Sequence, residues 1–378
     1  MKRIEIQPRP NLKERLEKDG FYFHSDYYSE TSAYVFKLTE VIRIEKATAS
    51  LFQLCMEAID WVIKKNRFDD FLIPKKYWDL IKASWKEDYC SFYGRMDLAV
   101  NHDSTEIFLL EFNADTPTSL LEASVVQWKW LEDFNPIFDQ FNSIHEKLLS
   151  HFKYCRSYLL GNKKLWFTGI AESIEDYTTI LYLQDIASQA GISTDFINIP
   201  LIGVDRHGDF YGMGSKKFIE PIHNIFKLYP YEWMFKEPFG DYLSERTLWI
   251  EPFYKAILSN KYLLVLLYNL FPNHPNLLPA FSNETHSLNQ YVQKPIFGRE
   301  GNNVRIMDNN HIIQEKNGDY GKEGFVFQQY QELPEFQGFR PVIGSWIIGG
   351  KPAGMGIKET SQYIHDDMSQ FCPHFIQD

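Results

Sequence analysis

Two short apolar segments separated by a turn constrain this chain more than any other feature. Residues 92–100 and 107–113 are rich in aromatic and aliphatic side chains, and residues 101–104 between them have the composition of a turn. This pattern predicts a β-hairpin. Because side chains two residues apart share one face of a strand, a turn in this segment would place Asp97 opposite Glu111.

The predicted hairpin would carry a group of polar side chains on one face. The same register places Arg95 opposite Asn113. Two facing carboxylates repel each other, but they would lie together readily around Mg²⁺, which prefers oxygen ligands. A solvated strand face with ordinary charges is the alternative. The apolar surroundings, with Asn113 and Asp115 nearby, favour a metal site formed by Asp97, Glu111 and Asn113.

The segment after the hairpin predicts a helix whose amino end points back at these side chains. An apolar-periodic run extends over residues 120–131. Pro117 suits the first helical position if Thr116 is the N-cap, and Ser119 with Glu122 would equally form a capping box. In either register, free N–H groups would attract a carboxylate or a phosphate. An ordinary capped helix without a ligand is the alternative.

The composition predicts a globular protein with a large core. The chain has 378 residues, of which 44% are hydrophobic and 16% aromatic. A net charge of −11 argues against non-specific nucleic-acid binding. There is no signal-peptide pattern and no apolar run of membrane-spanning length, so we expect a cytoplasmic protein that does not associate with membranes. The spacing of the four cysteines indicates ordinary thiols and no zinc site.

The middle of the chain predicts a strand–helix–strand unit with a parallel sheet component. Residues 165–170 and 196–199 have strand character, and residues 178–190 have helical spacing. Glu172 belongs to an acidic group that follows the first strand. This group could bind a cationic amine, or it could mark a helix start, where negative charge is favourable. The residues by themselves favour the helix start.

The last part of the chain contains features that suit phosphate binding. The strand at residues 291–295 leads into a glycine-bearing loop, residues 298–303, whose backbone N–H groups could bind phosphates. Considered in isolation, this loop is better explained as a hairpin turn. Lys261 and Lys294 lie in apolar segments, where an unpaired ammonium is costly. Residues 341–357 predict a closing hairpin.

Two motifs together resemble the synthetase domain of the glutathionylspermidine synthases, and more closely their stand-alone acid–amine ligase relatives. The motifs are Gly94–Asp97 and Glu111–Glu122. The resemblance covers essentially the whole chain. It implies an α+β, ATP-grasp-like composite fold with antiparallel sheets and a βαβ-containing substrate subdomain. Residues 1–160 would form the metal and acid region, 161–245 an inserted α/β subdomain, and 246–378 the nucleotide-binding part.

The resemblance further implies an enzyme that joins a carboxylate to an amine with the use of ATP and two Mg²⁺ ions. Arg95 would be catalytic by stabilising charge on the transferring phosphoryl group or on the tetrahedral oxyanion. The residues expected to bind ATP are Lys261, Lys294, Gly301, Gln331, Glu332, Leu333 and Lys358. Ser119 and Glu172 are expected to bind the substrates. With the resemblance, amine binding by the acidic group at Glu172 is supported about as well as its interpretation as a helix start.

The expected substrates are small molecules, such as a glutathione-like peptide acid and a polyamine-like amine, and no protein partner is indicated. Fused members of the family carry an N-terminal cysteine amidase, and we expect no such domain in this chain. Lys358 stands where the family usually has arginine, and it lacks the planar fork that binds phosphate in a bidentate manner. Asp367 and Gln370 replace an asparagine and an arginine.

These departures leave two alternatives to an acid–amine ligase of this type. One is a degenerate ATP-binding regulatory protein. The other is an ATP-grasp ligase that acts on a different peptide or amino-acid substrate. A glycosidase-like interpretation of the paired carboxylates is weaker, because a neighbouring asparagine and two nucleotide-binding lysines have no role in that chemistry.

Overall fold

The longest helix, α2, packs along the central sheet. Its apolar residues Ile44, Leu51 and Ala58 recur on one face and are all buried. The computed structural model describes residues 1–25, 27–87, 90–213, 219–282, 288–309 and 311–378. Its α-helices are α1 Leu12–Lys18, α2 Leu38–Lys65, α3 Trp78–Lys86, α4 Gln127–Phe134, α5 Ile144–Cys155, α6 Ile174–Gln189, α7 Tyr231–Met234, α8 Lys255–Leu258 and α9 Tyr262–Leu270. No helix in these ranges is long and apolar enough to cross a membrane.

The strands of the described residues form five sheets. In chain order they are β1 Lys2–Glu5, β2 Ser32–Phe36, β3 Tyr93–Val100, β4 Ile107–Asn113, β5 Leu165–Gly169, β6 Thr194–Asn198, β7 Ile202–Val204, β8 Phe210–Met213, β9 Ile219–Pro221, β10 Asn224–Lys227, β11 Leu248–Ile250, β12 Ala280–Phe281, β13 Gln290–Pro295, β14 Val304–Asp308, β15 His311–Lys316, β16 Phe325–Gln329, β17 Arg340–Ile348, β18 Lys351–Thr360, β19 Gln370–Cys372 and β20 His374–Ile376. Three of these sheets surround the candidate site, with orders β19-β18-β17-β3-β4, β11-β10-β5-β6 and β12-β16-β13-β14-β15.

The predicted hairpin forms one edge of the central sheet, and its register is confirmed. β3 and β4 pair in the antiparallel sense with Asp97 opposite Glu111 and Arg95 opposite Asn113. Along β3, buried apolar residues such as Met96 alternate with these partly exposed polar ones. The buried side chains join the core formed with α2. The polar face is therefore left free to line a site.

The other predicted strand pairings are also confirmed. β5, α6 and β6 form a parallel strand–helix–strand unit, which β10 and β11 extend. β17 and β18 form the closing hairpin. The glycine-bearing loop connects the antiparallel strands β13 and β14. The fold is thus mixed α and β with several antiparallel sheets, as predicted.

The helix after β4 begins differently from both predicted caps. Ser119 has φ +68°, and the first turn continues as a π-helix, Glu122–Val126, before α4. The capping box is wrong, because a capping serine needs extended backbone. The Ser119 hydroxyl instead shares a 2.7 Å hydrogen bond with the Tyr27 hydroxyl. Thr116 does not cap the helix either, and its Oγ1 accepts from Arg299 Nη1 at 2.8 Å.

The cysteines differ from the expectation of four ordinary thiols. Cys90 and Cys155 form a disulfide across a sequence separation of 65 residues, whereas Cys55 and Cys372 are buried free thiols. The packing of α5 near the start of β3 brings the Cα atoms of Cys90 and Cys155 to 5.8 Å, within the range for a disulfide. Spacing along the sequence does not contain this information.

Candidate active site

Four polar side chains form a connected group on the free face of the β3–β4 hairpin. Arg95 donates to Asp97 twice, through Nε to Oδ1 at 2.6 Å and through Nη2 to Oδ2 at 3.0 Å. Asn113 Nδ2 donates to Asp97 Oδ2 and to Glu111 Oε1, both at 3.1 Å. One amide group therefore bridges the two facing carboxylates, and one guanidinium partly balances their charge.

Two lysines from the C-terminal part of the chain complete the charge balance. Lys261 Nζ lies 3.1 Å from Glu111 Oε2. Lys294 is buried, and its Nζ donates to Leu110 O at 2.9 Å and to Gln328 Oε1 at 2.8 Å. Burial by itself raises the pKa of Glu111, but Lys261 and Lys294 hold that pKa well below its ordinary value. Burial lowers the pKa of Lys294 to about 8 against the opposing effect of Glu111.

The donor set of this group fits Mg²⁺. Asp97 and Glu111 supply carboxylate oxygens, and a half-turn of the Asn113 amide would add a third hard oxygen. Burial raises the pKa of Asp97 against the opposing effect of Arg95, and a bound divalent cation would favour the ionised form. Within the described ranges, no three His, Cys, Asp or Glu side chains are grouped to hold a metal. A metal here therefore depends on Asn113 as its third protein ligand.

A cavity of about 150 Å³ separates this polar face from the β12–β16 sheet. Its lining consists of Asp97, Leu110, Glu111, Lys261, Val292, Lys294, Gly298, Glu300, Gly301, Val304, Ile306, Gln328, Gln329, Tyr330, Gln331, Leu333, Val342, Tyr363, Ile364 and His365. Five of the residues predicted to bind ATP belong to this lining: Lys261, Lys294, Gly301, Gln331 and Leu333. Glu332 has an exposed side chain outside the lining, and Lys358 lines a neighbouring cavity.

The glycine-bearing loop closes one side of this first cavity. Gly301 has φ +67°, and a Cβ at this position would lie 2.6 Å from His365 O, so a larger residue does not fit. Arg299 Nη1 donates to Thr116 Oγ1 at 2.8 Å and Arg299 Nη2 donates to Glu232 Oε1 at 2.7 Å. These bonds connect the loop to the segment that follows β4.

A smaller cavity adjoins the first one. Its lining consists of Arg95, Asp97, Ser119, Val342, Gly344, Trp346, Gly356, Lys358, His365 and Phe371. Asp97, Val342 and His365 line both cavities. A Cβ on Gly344 would lie 2.7 Å from Arg95 Cδ, so glycine makes room for the Arg95 side chain. Arg95 and Asp97 therefore lie at the junction of the two cavities.

The three departures from the family pattern have different surroundings. Lys358 belongs to the smaller cavity, where its Nζ lies 4.9 Å from the centroid of the Tyr27 ring and burial lowers its pKa. Asp367 forms an ion pair with Lys316 at 2.8 Å. Gln370 lies in β19, at the edge of the central sheet. Only Lys358 lies among the residues that line the two cavities.

Glu172 lies on the loop after β5, away from the residues that line the two cavities. Its exposed carboxylate accepts a hydrogen bond from Asn198 Nδ2 at 3.2 Å. Ser173 Oγ accepts from Asp176 N at 3.3 Å and caps α6, so Glu175 and Asp176 lie in the first turn of that helix. Within this acidic group, Glu175 is the side chain whose charge acts on Lys358, in addition to Glu122 and Asp97 from elsewhere in the chain.

Tyr27 and His365 were not identified from the sequence, and Gly344 was matched to a family position without a role. The contact between Tyr27 and Ser119 joins residues 92 positions apart, and no local pattern marks it. The close approach of Gly344 to Arg95 likewise arises from the pairing of β17 with β3. The alternation along β17 gave no signal for a functional role, because nearly every residue of that strand is buried.

Comparison with known proteins agrees with the sequence motifs. The profile of the family described as glutathionylspermidine synthase preATP-grasp matches residues 3–377. A Haemophilus influenzae protein named "Putative acid–amine ligase" is 37% identical over the full length of both chains. Trypanothione synthetase of Crithidia fasciculata is 27% identical over 82% of this chain, and the bifunctional glutathionylspermidine synthetase/amidase of Escherichia coli is 24% identical over 88% of it.

The two longer relatives and one solved structure add information about extent and fold. The matched regions are 51% of the trypanothione synthetase and 57% of the bifunctional enzyme, so this chain spans about half their length. A glutathione synthetase-like effector from Globodera pallida, solved in the apo form, superposes with a TM-score of 0.57 over 98% of both chains at 10% identity. That likeness concerns the fold alone.

The matches to named ligases show that the chain is an enzyme of the carboxylate–amine ligase class. Within that class it belongs to the glutathionylspermidine synthase family, since the family profile matches nearly all of its residues. The predicted family and enzyme class are thereby confirmed.

Proposed function

We propose that this protein is an ATP- and Mg²⁺-dependent ligase that forms an amide from a carboxylic acid and an amine through an acyl phosphate. The observation that carries the proposal is the position of Asp97, which lines both cavities and is bonded to Arg95 and Asn113. Transfer of a phosphoryl group from ATP to a carboxylate requires that a nucleotide site and a substrate site meet at charged, positioned groups.

The first cavity is proposed to hold ATP. Lys261 and Lys294 would bind its phosphates, and the loop at Gly301 would cover them. The segment Gln331–Leu333, with Glu332, would contact the adenine and ribose. Mg²⁺ held by Asp97, Glu111 and Asn113 would neutralise phosphate charge. The support for these assignments is the convergence of both lysines and the paired carboxylates on one cavity.

The second cavity is proposed to hold the reacting ends of the substrates. The acid's carboxylate attacks the γ-phosphorus, and ADP leaves. The amine nitrogen then attacks the acyl carbon, and inorganic phosphate leaves. Arg95 would stabilise charge on the phosphoryl group and on the tetrahedral oxyanion. Ser119 would position the acid, Glu172 the distal part of the amine, and Lys358 the phosphoryl oxygens.

The substrate pair is proposed to be a glutathione-like peptide acid and a polyamine-like amine. This is supported by the names of the relatives, which include glutathionylspermidine synthetase and trypanothione synthetase. The net charge of −11 is compatible with a cationic amine. The relatives' whole-protein activities extend beyond the region that this chain matches, so the amidase activity is not part of the proposal.

The test is Mg²⁺-dependent release of ADP from ATP, measured with a panel of acids that includes glutathione, each combined with polyamines and simple amines. Release that requires both an acid and an amine is the expected result and names the substrates. If the productive pair contains neither a glutathione-like acid nor a polyamine, the protein is an ATP-grasp ligase for other substrates.

A degenerate ATP-binding regulatory protein is the second candidate. The observation that favours it is Lys358, which occupies the smaller cavity in place of the family's arginine. Lysine cannot grip a phosphoryl group with a planar fork. Tight Mg²⁺-ATP binding without ADP release for any acid–amine pair would support this candidate over the ligase.

A further inference from the structure

Glu122 has a buried carboxylate whose oxygens lack a hydrogen bond of ordinary length and angle. It is 0% exposed, and among the described residues only weaker contacts, from the Tyr27 hydroxyl and from the Glu122 backbone N–H, act on its charge. Buried carboxylates are ordinarily paired or hydrogen-bonded, because an ionised group loses its hydration there. An isolated carboxylate of this kind is expected where a ligand supplies the missing partner.

The backbone at Glu122 places it beside the smaller cavity. Ser119 has φ +68° and the π-helix begins at Glu122, two features that concentrate at functional sites. Ser119 and Lys358 line the cavity; the charge of Lys358 acts on the Glu122 carboxylate, and so does the Tyr27 hydroxyl, which is bonded to Ser119. Gly356 also lines the cavity, and a Cβ added to it would lie 3.3 Å from the Cβ of Ala123, the residue that follows Glu122.

The charges that face Glu122 favour a cation. Glu175 approaches from α6, Lys358 from β18 and Tyr27 from the segment before β2. Burial, and next the charge of Glu175, raise the pKa of Glu122 to about 7 against the opposing effect of Lys358. The Tyr27 hydroxyl is bonded to Ser119. When both carboxyl groups are ionised, two negative charges face one ammonium, which leaves a net negative charge.

We propose that Glu122 binds the reacting amino group of the amine substrate and takes one of its protons before the amide bond forms. The inference rests on the proposed ligase function and adds a catalytic residue to it. The amine nitrogen bonds to the acyl carbon, and the bond from that carbon to the phosphate oxygen breaks. Because an ammonium has no free electron pair, the nitrogen gives one proton to the Glu122 carboxylate before the bond forms. The electron pair of the broken bond and the second N–H proton leave with inorganic phosphate, and Glu122 then releases its proton to water.

Glu172 is less suited to this task. Its carboxylate is exposed and already accepts from Asn198 Nδ2, and it lies apart from the residues lining the cavity that holds Arg95. Glu122 is better suited to the reacting end, since it is shielded from water and neither of its oxygens forms a hydrogen bond of ordinary length and angle. The two residues would thus bind different ends of an extended amine.

The experiment compares wild type with Glu122→Gln, which keeps the size of the side chain and removes the charge. Glu132→Gln is the matched control, because Glu132 is an exposed glutamate on the following helix, α4. The probes are glutathione as the acid and either spermidine or hydroxylamine as the nucleophile. Hydroxylamine is largely uncharged at neutral pH, so it attacks an acyl phosphate without first losing a proton to a protein group, and its later proton leaves with the phosphate.

We expect E122Q to lower kcat/KM for spermidine by about 100-fold, the usual range for loss of a proton acceptor. The KM for ATP and the rate of hydroxylamine trapping should stay within about twofold of wild type, because Glu122 acts only after the acyl phosphate forms. The acid limb of the wild-type pH profile with spermidine should be lost in E122Q. E132Q should match wild type in every assay.

Unchanged kcat/KM for spermidine in a folded E122Q that still traps hydroxylamine would overturn the inference and leave the ligase function standing. If wild type itself gives neither ADP nor hydroxamate with any acid, the proposed function fails. In that case the inference is tested by thermal unfolding in the presence of ADP. Spermidine should raise the Tm of wild type but not the Tm of E122Q. Equal Tm shifts in the two proteins would refute the role of Glu122.

If E122Q does not fold, Glu122→Asp is measured in the same assays. Aspartate keeps the charge but withdraws the carboxylate by one methylene group, so we expect a loss of about tenfold with spermidine and none with hydroxylamine. Equal rates with both nucleophiles would again overturn the inference.

Discussion

The ion pair between Asp115 and Lys227 provides the sharpest test of how the candidate site is held in place. Lys227 is 0% exposed and Asp115 1% exposed, and they contact each other through Lys227 Nζ and Asp115 Oδ1. Asp115 Oδ2 also accepts from Tyr231 N at 3.0 Å. Asp115 follows Asn113 by two residues, so the pair anchors the end of β4 to the parallel sheet. Its position in the sequence near the proposed metal ligands reflects this structural role.

Replacing Asp115 with asparagine should leave the Lys227 ammonium buried without its counterion. The amide oxygen can still accept from Tyr231 N, so the change isolates the charge. Removal of one partner from a buried ion pair typically costs about 3–5 kcal/mol. With an m-value of about 3 kcal/mol/M in urea, the unfolding midpoint should fall by about 1 M.

The assay is urea unfolding followed by circular dichroism, with Asp115→Asn/Lys227→Met as the control that removes both charges. The double variant should recover most of the lost stability. Burial lowers the pKa of Lys227 and Asp115 opposes this effect, so in the single variant higher pH should restore part of the stability by deprotonating the lysine. A loss below about 1 kcal/mol in D115N would refute the reasoning.

The remaining predictions concern the cavities. Asp97→Ala should abolish acid- and amine-dependent ADP release while the far-UV spectrum is retained; full activity would reject the metal site. Gly344→Ala should lower kcat at least tenfold, because its Cβ would lie 2.7 Å from Arg95 Cδ. Lys261→Met should weaken ATP binding by about 1–3 kcal/mol in calorimetry, and unchanged affinity would contradict its assignment. Burial raises the folded pKa of Glu122 to about 7, so the protonated carboxyl stabilises the fold fully below its unfolded pKa, and this stabilisation is lost as pH rises through 7. The free energy of unfolding of wild type should therefore fall by about 3 kcal/mol over this range, and Glu122→Gln should not show the fall.

The sequence by itself determined the local elements and the family. Alternation and turn composition predicted the hairpin and the register of Asp97 with Glu111, because strand period and turn chemistry act within a few residues. The same short-range rules predicted the βαβ unit and the closing hairpin. The motifs at residues 94–97 and 111–122 indicated the family, because they contain the polar side chains of the hairpin at a fixed spacing.

Only the tertiary structure decided which side chains share the site and which partners they have. Asp115 meets Lys227 across 112 residues, and Cys90 meets Cys155 across 65. The sequence suggested a helix cap for Glu122, but the left-handed backbone of Ser119 prevents that bond. Charges and cavities of this kind depend on distances between segments far apart in the chain, and these distances are set by how the sheets pack together and not by local residue patterns.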